Sequence, residues 1–170
     1  MANVYDVIPR LEGMIGTMAT GSKSKVSQWV EECKKLLLSP KLRDVTDWDF
    51  KCMPDVDESG DVIEAGGVLY AALAGYVDGN KALCVVFVDD ADGSLTVTGG
   101  TDTLGTYGFE MTCPAVASDG TEEFTGAVIP GGMSATNSLM VGADTVDSTT
   151  VATNDCRVWV LYRTTAGIIN

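Results

Sequence analysis

Before Pro40 the apolar side chains recur with a helical period, and after residue 62 they gather into short strand-like runs. Val4, Val7, Ile8, Leu11, Met14, Ile15 and Met18 keep the i, i+3, i+4, i+7 spacing of one helix face. Asp6 is the expected cap, which puts Pro9 in the first turn, where its missing N–H is harmless. Gly13 and Gly16 each weaken this helix by about 1 kcal/mol relative to Ala, so it needs a packing partner. Val26, Trp29, Val30, Cys33, Leu36 and Leu37 repeat the pattern, with Ser24 as cap, Pro40 as stop and Glu31 paired to Lys35 across one turn. A turn at Thr20-Gly21-Ser22-Lys23 joins the two. Two apolar stripes on one hairpin suit a cover for the chain's own sheet, ahead of a contact with a neighbouring subunit.

Strands are expected at 67–77, 81–89, 94–98, 106–113, 123–129, 138–142, 149–152 and 156–163. Asp/Gly-, Gly/Gly- and Asn-containing turns separate them. The run 81–89 is apolar on both alternating faces, as a central strand should be. In 156–163 one face carries Val158, Val160 and Tyr162, and the other Trp159 and Leu161 between two arginines. Around eight short strands with no helix between them predict a mainly β chain. The expected fold is an antiparallel β-sandwich, jelly-roll or Ig-like, with a short N-terminal helical segment.

Charge sharpens the division. Residues 1–51 hold 8 of the 11 Lys+Arg and 7 of the 24 Asp+Glu, while the remainder holds 3 and 17. The expected organisation is therefore a helical attachment segment, 1–51, and an acidic β-sandwich domain, 52–170. A net charge of −13 repels nucleic acid over most of the surface. The Lys and Arg residues between Lys23 and Arg43 are interrupted by Glu31, Glu32 and Asp44, as on a solvated helix face. No apolar run is long enough for a membrane span, and residues 1–20 lack the pattern of a signal peptide. No membrane partner is expected. Five cysteines without a C-x-x-C pair read as free thiols made in a reducing compartment.

Histidine is absent, which removes the commonest general base and the Ser-His and Cys-His nucleophile arrangements. Carboxylates alone can run glycoside hydrolysis, but here they fall mostly in Asp/Gly turns, so no enzyme activity and no cofactor are expected. Asp55-Val56-Asp57-Glu58-Ser59-Gly60-Asp61 matches the first half of a calcium loop. The candidate ligands are Asp55, Asp57, Ser59, Asp61 and Glu64. The twelfth position is Gly66 where a bidentate Glu belongs, so an acidic turn is the expectation. Asp89, Asp90 and Asp92 form a second cluster, read as a hairpin turn. Ser22-Lys23-Ser24-Lys25 fits S-x-x-K without its companion motifs and is set aside. The Gly-rich stretches 99–106 and 130–137 read as strand connections, since no helix follows to bind phosphate.

The start MANVYDVIPRLEGMIG, the Gly/Thr/Ala-rich acidic β body and the Trp/Tyr-bearing last strand CRVWVLYRTTAGIIN together resemble small virion proteins of tailed bacteriophages, of the capsid-decoration or cement type. The resemblance implies a sandwich seated on the outer shell, commonly as a trimer, tying major capsid subunits together in a virion assembled in the host cytoplasm. Residues 1–51 would then dock, with Trp29, Trp48, Leu11, Met14 and Met18 as candidate contacts. Deleting them should leave a folded β body that no longer attaches. A head–tail connector, a tail protein and a carbohydrate-binding sandwich are the alternative roles.

Overall fold

The computed structural model describes residues 2–18, 20–77, 82–93, 97, 108–115, 122–145, 151 and 155–165. Two helices, α1 (Val4–Ile15) and α2 (Lys23–Leu37), precede eight strands. These are β1 (Trp48–Met53), β2 (Asp61–Glu64), β3 (Gly67–Tyr76), β4 (Leu83–Asp90), β5 (Phe109–Cys113), β6 (Glu123–Ala135), β7 (Ser138–Thr145) and β8 (Cys156–Arg163). One sheet runs β1-β8-β3-β6 and the other β2-β7-β4-β5, with every pairing antiparallel.

The pairs β1·β8, β2·β7, β3·β6 and β4·β5 are nested, as if one long ribbon were folded at the β4–β5 connection. Contacts β8·β3 and β7·β4 then roll that ribbon into two sheets. This is the jelly roll, which decides between the two expected sandwich types. Of the expected strands 94–98 and 149–152, only Val97 and Val151 lie among the described residues, and both are buried.

Neither helix uses the cap expected of it, since α2 starts at Lys23 without a side-chain cap bond and has Ser24 inside it. Asn3, not Asp6, caps α1: its side chain accepts from the N–H groups of Tyr5 and Asp6, and the Asp6 carboxylate accepts from Asn3 N. Pro9 consequently stands inside the helix, beyond the first turn. In α2, Lys34 and not Lys35 meets Glu31 (3.3 Å), and it also reaches Glu12 of α1 (3.4 Å). Ser22 precedes α2 and donates to Glu122 O instead of capping.

Three apolar layers result. Val4, Val7, Leu11, Val26, Trp29 and Val30 pack with Phe50, Val68, Tyr70, Leu73, Phe124, Trp159 and Leu161 on the outer face of the first sheet. Between the sheets lie Leu69, Ala72, Leu83, Val85, Phe87, Leu139, Val141, Val158 and Val160. Val97 packs with Cys84, Val86, Val88 and Met140 in a third, smaller cluster. The helices thus cover their own sheet.

They also hold both of its outer strands. Arg10 of α1 donates to Phe50 O on β1, and Trp29 Nε1 of α2 donates to Ala127 O on β6 (3.2 Å). Ala2 bridges to Trp48, so much of the free edge of β1 is occupied. Residue 51, where the charge changes, falls in the middle of β1. Both parts of the chain thus contribute to this edge strand of the sheet. The stretch 130–137, expected as a loop, mostly continues β6 through an irregularity at which Gly132 adopts φ +72°.

Candidate functional site

The acidic stretch 55–64 bridges β1 and β2 across one end of the sandwich. Val56 is fully buried among the residues between the sheets, and its N–H donates to Cys156 O (3.0 Å). Asp57 accepts from Ser59 N (2.9 Å) and Ser59 Oγ (2.5 Å), while its carbonyl accepts from Ala143 N (2.8 Å). Glu64 lies in β2 and accepts from Ala65 N. Burial, then the charges of Asp57 and Asp55, push the Asp61 carboxyl above its ordinary value. The carboxylates thus share a neighbourhood, yet among the described residues no three of them converge as a metal site. The loop closes the sandwich end instead. Millimolar calcium or EDTA is expected to leave the thermal unfolding midpoint unchanged, and a calcium-dependent rise would restore Asp55–Glu64 as ligands.

The second cluster serves a turn at the opposite end. Asp89 accepts from Thr136 N (3.0 Å), Thr136 Oγ1 (3.2 Å) and Asn137 N (2.9 Å), which fixes the β6–β7 hairpin. Burial opposes its ionisation, but these bonds win and hold its carboxyl below the usual aspartate value. Asp90 accepts from Asp92 N (2.8 Å) in a local turn.

The five candidate docking residues are turned inward. Leu11 is fully buried, and Trp29, Trp48, Met14 and Met18 are at most 7 % exposed. All five belong to the layer between the helices and the first sheet. Leu11, Met14, Met18 and Trp29 belong to the apolar stripes that the helical segment turns to its own sheet, and Trp48 meets them from β1.

The richest polar constellation was not anticipated. It lies where α1, β1 and the end of β8 meet, beside a cleft of about 520 Å³ lined by Ala2, Asp6, Asp47, Trp48, Asp49 and Thr164. Strand alternation sends Trp48 and Phe50 towards the helices and Asp49 and Lys51 the other way. Asp47 accepts from Arg163 Nε (2.8 Å) and Thr165 N (3.2 Å), and its carbonyl from Thr164 N (2.9 Å). Asp49 accepts from Phe50 N (2.8 Å), Tyr162 Oη (3.0 Å) and Arg10 Nη1 (3.2 Å). Lys51 donates to Ile63 O, which ties β1 to β2.

For both aspartates, burial raises the pKa, and the hydrogen bonds and arginine charges more than reverse it, so each sits below 3.8. Burial, followed by the Asp49 bond and charge, drives the Tyr162 hydroxyl far above the usual tyrosine range. At neutral pH the aspartates are ionised and the tyrosine is a fixed donor. These bonds tie α1, β1 and the end of β8 together.

The pH dependence follows from those directions. Asp47, Asp49 and Asp89 have depressed folded values, so their stabilisation is complete above 3.8 and disappears as pH falls through the lower folded values. Asp61 works in the opposite sense. Urea midpoints are expected to drop below about pH 4. Asp49→Asn should flatten that drop, and a profile identical to that of the parent protein would remove Asp49 from the account.

Among the described residues no helix is long and apolar enough to cross a membrane. Comparison with family models, curated proteins and solved structures finds no match to this chain.

Proposed function

We propose that the chain is a non-enzymatic structural subunit of a virion, decorating or cementing the outer capsid of a tailed phage by binding its major capsid subunits. The supporting observation is the strand order β1-β8-β3-β6 over β2-β7-β4-β5 with a filled interior. This double-sheet roll recurs in viral capsid domains, lectins and cupins. Cupins keep a ligand cavity between the sheets, where this chain packs Leu69, Phe87, Leu139 and Val141. Lectins stack sugars on exposed aromatics, and among the described residues Tyr5 is the one aromatic side chain mostly in solvent. A shell role needs neither feature.

A trimer would multiply weak contacts with the shell by avidity, and the acidic exterior would keep decorated particles apart. Attachment would use the outward surface of the helices, the part of the chain closest to neutrality, and place the protein in the virion after assembly in the host cytoplasm. Light scattering on the purified protein, paired with a glycan array, tests the reading. A stable mass of three times the 17.9 kDa chain with a silent array is the expected result. A monomer that binds glycans would replace this reading with a carbohydrate-binding module.

A further inference from the structure

We draw no further inference here: the strongest candidate, the uncharged outward stripe of α1 formed by Tyr5, Pro9, Gly13 and Gly16, carries nothing because nothing in the structure shows what covers it.

Discussion

Deleting residues 2–45 is expected to abolish the fold, although it spares every strand. The deletion uncovers Trp48, Phe50, Val68, Tyr70, Leu73, Phe124, Trp159 and Leu161, all at most 7 % exposed in the intact chain. Burying a large apolar side chain is worth about 1.5–3 kcal/mol, so the loss is on the order of 10–20 kcal/mol. A domain of this size has only about 5–15 kcal/mol in total. The deletion also releases the grip of Arg10 on β1 and of Trp29 on β6. The truncated chain should bind a hydrophobic dye, pellet on standing and show no cooperative thermal transition. A monomer that melts cooperatively would make the helices a dispensable appendage, as their composition alone implies.

The same result bears on how attachment should be mapped. A truncated chain that fails to bind a shell would report lost folding as readily as a lost contact. Substitutions at outward positions such as Tyr5 and Leu38, 70 % and 44 % exposed, separate the two because they leave the buried layer intact.

Much of this architecture was legible locally. Both helical stripes are the buried faces, and β8 divides as its alternation implies, with Val158, Val160 and Tyr162 between the sheets and Trp159 and Leu161 under the helices. β4 is apolar on both faces because β7 and β5 flank it and clusters form on either side. What escaped local reading depends on partners distant in sequence. β1 alternates Trp48 and Phe50 with Asp49 and Lys51, but those charges make sense in a strand only once Tyr162, Arg10 and Ile63 O are placed beside them. Asp47 and Arg163 are 116 residues apart, and the β1·β8 pairing spans almost the same distance. No window of a dozen residues contains that information. The charge boundary at residue 51 falls inside β1, since net charge records which surface is solvated, not which strands pair.

Trp29 joins α2 to the sheet both by packing and by a hydrogen bond, so Trp29→Ala is expected to be strongly destabilising. Trp29 is 3 % exposed, lies 6.4 Å from the Phe50 ring between centroids, and donates to Ala127 O. Truncating a buried aromatic to Ala costs about 3–5 kcal/mol, and here it also leaves that carbonyl without the indole donor. The indole can lie so close because Gly126 has no side chain. A Cβ at Gly126 would meet Trp29 Cδ1 at 2.5 Å, Cγ at 3.0 Å and Leu73 Cδ1 at 3.3 Å. Gly126→Ala alone should therefore cost about 1–3 kcal/mol by overpacking. In the Trp29→Ala background the same Cβ enters vacated space, and the added cost should fall to within a few tenths of a kcal/mol of zero or become a gain. A double-mutant cycle from urea midpoints reads this coupling. Additive costs would mean that the indole yields freely, and that Gly126 does not set how closely α2 approaches the sheet.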